Sequence, residues 1–238
     1  MGIDVDHAKV VTFNGTHEHR VVTDPARPFP IDQIGDLRIS SIFQRRTTRL
    51  DNHDGNPLIY ALKSKFGYTI PNVDLKEILS RAREILPHAL ADVPFDVVVP
   101  LPSSSPVAMR LGVRASRLSG GCLVLTCLDK ATVAHVLAAA PPVGHVAKRM
   151  RNAYTTALAN MQLRPGAALF EMKFVRSPIR HYFVPVVTNH LAVQCAGRRV
   201  LLVDDILGSG TSLKVAEAEL RAAGAMDVSA LTLLSRLR

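Results

Sequence analysis

Two adjacent carboxylates, Asp204 and Asp205, follow the apolar run Val200-Leu-Leu-Val203 and stand just ahead of Gly208-Ser209-Gly210-Thr211-Ser212. Neighbouring acids suit the two vicinal hydroxyls of a ribose and can help hold Mg²⁺ through water. Gly208 and Gly210 let the backbone curl closely round an anion, and Ser209, Thr211 and Ser212 add hydroxyl donors. A helix beginning here presents unpaired N–H groups and the positive end of its dipole to the same anion. The spacing marks a seat for a phosphate. It is not a Walker loop, because G-x-x-x-x-G-K-[ST] is missing and no Lys follows the glycines. Nor is it a dinucleotide fingerprint, since G-x-G-x-x-G is absent and two acids precede the loop.

Other candidates carry less specific signals. Pro100-Leu-Pro-Ser103-Ser104-Ser105-Pro106 ends a β-branched run and reads as a tight loop. Arg110 and Arg114, just beyond it at i and i+4, share one helix face that either reaches an anion or faces solvent. Arg38, Arg45, Arg46 and Arg49 form a local basic patch, and Lys148, Arg149, Arg151, Arg164, Lys173, Arg176 and Arg180 make 143–183 the densest positive stretch. His17-Glu18-His19 has same-face spacing for a strand, two metal ligands without a third. His53-Asp54 has no further His or Asp constellation around it. Cys122 and Cys127 lie in the apolar run Cys122–Leu128 and read as core residues of a buried strand, and three cysteines in all are too few for a disulfide framework.

The elements that position these residues are read from pattern. Residues 1–35, with short β-branched runs and Pro25, Pro28 and Pro30, read as an N-terminal arm or hairpin, packed or free. A short amphipathic helix is expected over Leu58–Phe66 and a longer one from an Asn72 N-cap to about Leu90. Phe95–Pro100 reads as a buried strand, 107–118 as a helix and Cys122–Leu128 as the next strand. Val200–Val203, the glycine loop, a helix over Leu213–Ala223 stopped by Gly224, and a strand over Val228–Leu234 make a βαβ unit, hence a parallel sheet. The expected fold class is α/β: a Rossmann-like parallel sheet flanked by helices.

Val200-Leu-Leu-Val-Asp-Asp-Ile-Leu-Gly-Ser-Gly-Thr-Ser212 resembles the phosphoribosyl-pyrophosphate (PRPP) signature of type I phosphoribosyltransferases. The resemblance implies that fold with a variable hood, Asp204 and Asp205 on the ribose hydroxyls, and Gly208 to Ser212 on the 5′-phosphate. It places a pyrophosphate loop after an earlier strand, where Ser103, Ser104 and Ser105 stand. It further implies Mg²⁺ as cofactor, and a basic hood loop over the leaving group, with Arg151 the favoured catalytic residue beside Lys148, Arg149 and Arg110. Residues 1–35 are then the arm and 36–238 one domain, with hood segments about 36–90 and 143–183 and a PRPP-binding core about 95–128 and 198–238. The layout is similar to ComF-type proteins, linked to DNA uptake, in Asn56-Pro-Leu-Ile-Tyr-Ala-Leu-Lys63, Val98-Val-Pro-Leu-Pro102, Arg110-Leu-Gly-Val-Arg-Ala, Arg151-Asn-Ala-Tyr154 and the ending Ala222-Ala-Gly-Ala…Leu231-Thr-Leu-Leu-Ser-Arg236. The zinc-binding cysteines common near the start of those proteins are absent. Some purine enzymes of the family carry an Asp three positions after the second acid; here that position is Gly208, which argues against hypoxanthine–guanine activity.

The 238 residues are 47% hydrophobic and 21% charged, which excludes collagen-like, disordered and coiled-coil classes. Lys and Arg number 29 against 20 Asp and Glu, a net +9 that favours phosphorylated metabolites, nucleic acid or another acidic partner. No long apolar run and no basic–apolar leader pattern appear, so a cytoplasmic setting with no membrane partner is expected. Three readings compete: a Mg²⁺-dependent transferase acting on PRPP and an unidentified base or amine, a non-catalytic PRPP or nucleotide sensor, and a DNA-uptake or DNA-processing accessory. A homodimer is among the expected assemblies.

Overall fold

Long aliphatic runs become strands here because both of their faces are covered. The computed structural model describes residues 1–46 and 56–237. In chain order its elements are β1 (Gly2–Val5), β2 (Val11–Asn14), β3 (Val21–Val22), β4 (Ile31–Ile34), β5 (Leu37–Arg45), α1 (Pro57–Leu62), α2 (Asn72–Leu90), β6 (Val97–Pro100), α3 (Val107–Leu118), β7 (Leu123–Val124), β8 (Leu128–Lys130), α4 (Val133–Ala139), α5 (Arg151–Gln162), β9 (Val186–Thr188), β10 (Arg199–Ile206), α6 (Thr211–Ala222) and β11 (Asp227–Leu237). The main sheet runs β3-β5-β11-β10-β6-β7, with β4 also paired to β5. Strands β5, β11, β10, β6 and β7 are parallel, and β3 and β4 close the edge antiparallel to β5. The α/β class, a parallel sheet flanked by helices, is the one expected from sequence.

Side-chain alternation along the strands divides the core into two layers. Leu201, Val203, Leu231 and Leu233 pack with α1, α2, α3 and the β1–β2 hairpin, whereas Val200, Leu202 and Ala230 pack with Leu213, Ala216 and Leu220 of α6. A third cluster, Val133, Val136, Tyr154, Met161, Phe170, Val175, Ile179 and Phe183, gives residues 131–183 a core of their own around α4 and α5. The chain leaves β6 through α3 to β7 on one side and leaves β10 through α6 to β11 on the other. Strand order therefore reverses between β6 and β10, which opens a crevice at their carboxyl ends, the place where open α/β sheets bind ligands.

Several sequence expectations are corrected. Residues 37–45, counted with the hood, form β5 inside the main sheet. Their polar residues are buried because β11 supplies partners: Ser41 Oγ lies 2.8 Å from Thr232 Oγ1, and Arg45 donates from Nε to the Ser235 carbonyl at 2.6 Å. Arg45 is thus a core residue and not part of a surface patch, while Arg49 and His53-Asp54 lie outside the described residues. Cys122–Leu128 is not one strand: β7 joins the main sheet and β8 pairs with β9 in a separate ribbon. Pro71, with no N–H to satisfy, holds the N-cap position of α2, so Asn72 is its first helical residue. Residues 1–35 pack rather than dangle: Ile3, Val11 and Val21 are fully buried. No described helix is long and apolar enough to cross a membrane.

Candidate functional site

Two loops flank the crevice. The register pairs Val203 of β10 with Pro100 of β6, so the glycine loop and the Ser103–Ser105 loop leave neighbouring strand ends side by side. The Leu101 N–H donates to the Val203 carbonyl at 2.8 Å and ties the second loop to the first strand. Ser103 and Ser104 are exposed, and the Ser105 amide donates to Ser103 Oγ at 3.2 Å. The Ser105 hydroxyl is buried without a hydrogen-bond partner among the described residues, a polar group in need of one.

The glycine loop is built around Gly210, the N-cap of α6. Its φ is +78°, a left-handed backbone that strains any residue with a side chain, and a Cβ there would also stand 2.1 Å from Ile34 Cδ1, the movable end of a half-buried side chain. Gly208 is different: a Cβ there would meet nothing, and its surroundings are open. The N-cap residue has no side chain to cap α6, and the Thr211 amide makes only a 3.4 Å contact to Ser209 Oγ, which leaves the helix dipole and the amides behind it available to an anion. Ser209 Oγ and Thr211 Oγ1 lie 3.0 Å apart at this mouth, with Ser212 in the first turn behind them. The loop is held from below: Leu207 N–H donates to the Leu234 carbonyl at 2.8 Å, and Arg45 Nη2 donates to the Leu207 carbonyl at 2.9 Å.

The two acids reach the crevice at the end of β10, but on opposite faces of the strand. Asp205 is buried and forms an ion pair with Lys63, the C-cap residue of α1; the two side chains are 4% and 13% exposed. Asp204 is half-buried, and its Oδ1 accepts the Asp205 amide at 2.8 Å. Burial, and then repulsion from Asp205, push the Asp204 carboxyl up to about 7, with Lys63 pulling the other way. In this arrangement Asp205 is ion-paired, while Asp204 has no cationic partner in hydrogen-bond contact among the described residues. This donor set fits Mg²⁺ only through water at Asp204, beside phosphate oxygens that a ligand brings, because Asp205 already has a cation.

Lys63, the partner of Asp205, is the residue at this site that the sequence reading did not single out. Its signal was present: Asn56 caps α1 by accepting the Leu58 amide at 2.9 Å, and Pro57 occupies the first turn. That start sets a six-residue helix, Pro57–Leu62, with Lys63 at its C-cap. What no local pattern gave was its partner.

The basic candidates scatter. Arg151 opens α5 and donates to its own loop, from Nε to the Val146 carbonyl at 3.0 Å and from Nη2 to the Gly144 carbonyl at 3.2 Å. Lys148 and Arg149 are exposed on the same 131–183 unit. Arg180 holds the Val175 carbonyl at 2.9 Å, and Arg164 stacks 3.9 Å over Phe174. Arg110 and Arg114 line a groove of about 510 Å³ with Leu62, Leu79 and Leu111, between α1, α2 and α3. The structure thus brings together Asp204, Asp205, Gly208–Ser212 and Ser103–Ser105. It does not gather Arg110 and Arg151 about one anion.

Residues 138–238 match the model of the phosphoribosyl transferase domain family, a span that includes β10, the glycine loop, α6 and β11. No curated protein matches the chain. Among solved structures it is similar to a purine phosphoribosyltransferase from Pyrococcus horikoshii Ot3, at 15% identity and a TM-score of 0.35, over 66% of this chain and 72% of that one. The matched span thus takes in both acids and the glycine loop, and leaves the Ser103–Ser105 loop outside it.

Proposed function

We propose that the chain binds PRPP across the β6–β10 crevice and transfers its phosphoribosyl group to a nitrogen of a base or amine. The bond from C1 to the pyrophosphate oxygen breaks, a bond from C1 to nitrogen forms, and the proton of that nitrogen leaves to solvent. The observation that carries the reading is the pair of loops at the strand-order reversal, one ending in the uncapped N-terminus of α6. The 5′-phosphate sits on the amides and hydroxyls of Gly208–Ser212. Ser103–Ser105 receive the pyrophosphate, and the partnerless Ser105 hydroxyl is a donor for it. Asp204 takes a ribose hydroxyl. Asp205 joins it once its ion pair with Lys63 opens. Asp204 would hold Mg²⁺ through water, and the ion would supply positive charge for the departing pyrophosphate. Positioning and electrostatics supply most of the catalysis in such a site. The motif Asn56–Lys63 supports a ComF-like place within the superfamily.

A second reading, a PRPP sensor without turnover, is favoured by one observation: Asp205 is neutralised and Arg151 holds its own loop rather than a ligand. The test is pyrophosphate release from PRPP with a panel of bases and amines, beside thermal shift with PRPP and Mg²⁺. Release that disappears in Asp204→Asn with the fold intact supports the transferase. A thermal shift without release from any acceptor supports the sensor. Neither response to PRPP overturns both.

A further inference from the structure

We infer that Asp4, His17 and His19 form a site for a divalent first-row transition ion of the Zn²⁺ class, independent of the crevice. The sequence offered two histidines at strand spacing and no third ligand. The fold corrects the first point and supplies the missing ligand. Residues 17–19 lie in the loop between β2 and β3 rather than in a strand, and that loop folds back over β1. One ligand atom from each of Asp4, His17 and His19 lies within 4.8 Å of the others. His17 Nε2 is 3.0 Å from Asp4 Oδ1, and the two imidazoles stack with centroids 4.0 Å apart at 17°.

The backbone makes the arrangement durable. A Cβ at Gly2 would stand 2.7 Å from the His19 carbonyl oxygen and 2.8 Å from its amide nitrogen, so the histidine loop sits against β1 at a distance only glycine allows. The Ile3 amide donates to the His19 carbonyl at 3.3 Å and fixes the register. Asp4 is oriented from behind: Asn14 Nδ2 donates to its Oδ2 at 2.7 Å, leaving Oδ1 towards the histidines. Such outer partners commonly aim metal ligands. Glu18, between the histidines, is taken up by Arg27 at 3.0 Å and Arg46 at 2.6 Å and is no part of the set.

Two imidazole nitrogens and one carboxylate oxygen select Zn²⁺, Ni²⁺ or Cu²⁺ over the all-oxygen preferences of Mg²⁺ and Ca²⁺. Three protein ligands leave a fourth position for water or an incoming group. On binding, the single proton of the neutral His17 ring moves from Nε2 to Nδ1, which frees Nε2 and Asp4 Oδ1 for the cation with no net proton release. Nδ1 then no longer accepts, so the 3.2 Å contact from the His19 amide to that atom opens. The ion then ties β1 to the segment entering β3, the strand that covers the edge of β5.

The experiment uses the untagged full chain. Zn²⁺ is titrated by calorimetry, and Co²⁺ is followed by its visible absorption, with Mg²⁺ as control. One equivalent of Zn²⁺ is expected, with tetrahedral Co²⁺ bands, a higher melting temperature in Zn²⁺ and no response to Mg²⁺. His17→Ala and His19→Gln should each abolish the bands, and Asn14→Ala should weaken binding by roughly ten-fold. Asp4→Asn, which keeps the side-chain shape, guards against loss by misfolding, and circular dichroism monitors each variant. Absence of one-equivalent binding, or binding unchanged in His17→Ala and His19→Gln, overturns the assignment.

Discussion

Replacing Lys63 by methionine removes the only cation paired with Asp205 among the described residues and keeps most of the apolar stem. The two side chains are 13% and 4% exposed, so water screens the pair poorly. An exposed pair would contribute about 0–1 kcal/mol. Removing one partner of a buried pair costs about 3–5 kcal/mol, because the other charge stays desolvated and unpaired. The loss should sit in that upper range, since Asp204 lies next to Asp205 and Lys63 also attracts its carboxyl. For a chain of 238 residues about 3–4 kcal/mol corresponds to a melting-temperature drop of roughly 10 °C. Urea unfolding at pH 7.5 reads the free energy, and an unchanged m-value certifies that compactness is unaltered. The double variant Lys63→Met with Asp205→Asn should recover about half of the loss or more, because no uncompensated charge remains. A single variant costing less than about 1 kcal/mol, or a double variant as unstable as the sum of the two singles, would refute the buried-pair reasoning.

Three further outcomes follow from the same geometry. Gly210→Ala should cost about 2–4 kcal/mol in urea unfolding, from a left-handed backbone and a collision with Ile34, whereas Gly208→Ala should stay within about 0.5 kcal/mol and weaken only the thermal shift given by PRPP. Asp204 is pushed up to about 7, so the folded chain keeps a proton that the unfolded chain releases near pH 4. Stability should therefore fall as pH rises from about 4 to about 7, by at most about 1.4 kcal/mol per unit, and Asp204→Asn should flatten the profile and exceed the parent above pH 7 in melting temperature. Arg45→Met should cost about 3 kcal/mol by orphaning the Ser235 and Leu207 carbonyls, and amide exchange at Leu207–Gly210 should quicken, because the loop loses its support from below.

The βαβ unit was legible because every device that builds it is local: an aliphatic run, a small-residue loop, a 3.6-residue pattern and Gly224 as stop. The same locality explains the misses. Arg45 was counted in a local basic patch, yet it lies in β5 and is satisfied by the Ser235 and Leu207 carbonyls from the far end of the chain, beside Ser41, which meets Thr232. Cys122–Leu128 is uniformly apolar, and such a run does not reveal where a chain passes from one sheet to another. Arg151 looked like a ligand-binding cation and Arg180 like part of a positive stretch because charge is visible in sequence, whereas the carbonyls they hold are not. Asp4 completes a histidine pair only through a hairpin whose closeness depends on Gly2.

The placement of the acid pair follows from strand parity rather than from either residue. Consecutive side chains on β10 must enter different layers, so Asp205 faces the α1–α3 layer and Asp204 the α6 layer. A sugar held by both would touch both layers at once, across the crevice where β6 and β10 diverge in connection. Lys63 then matters twice. It neutralises Asp205 inside its own layer, and it must release that acid before a hydroxyl can take its place. Removing the lysine should therefore weaken the fold and change PRPP affinity in opposite directions for two separable reasons: one charge left without a partner, and one competitor fewer for the sugar. If the thermal shift given by PRPP falls in Lys63→Met together with stability, the lysine assists ligand binding instead of opposing it, and Asp205 does not serve the ribose.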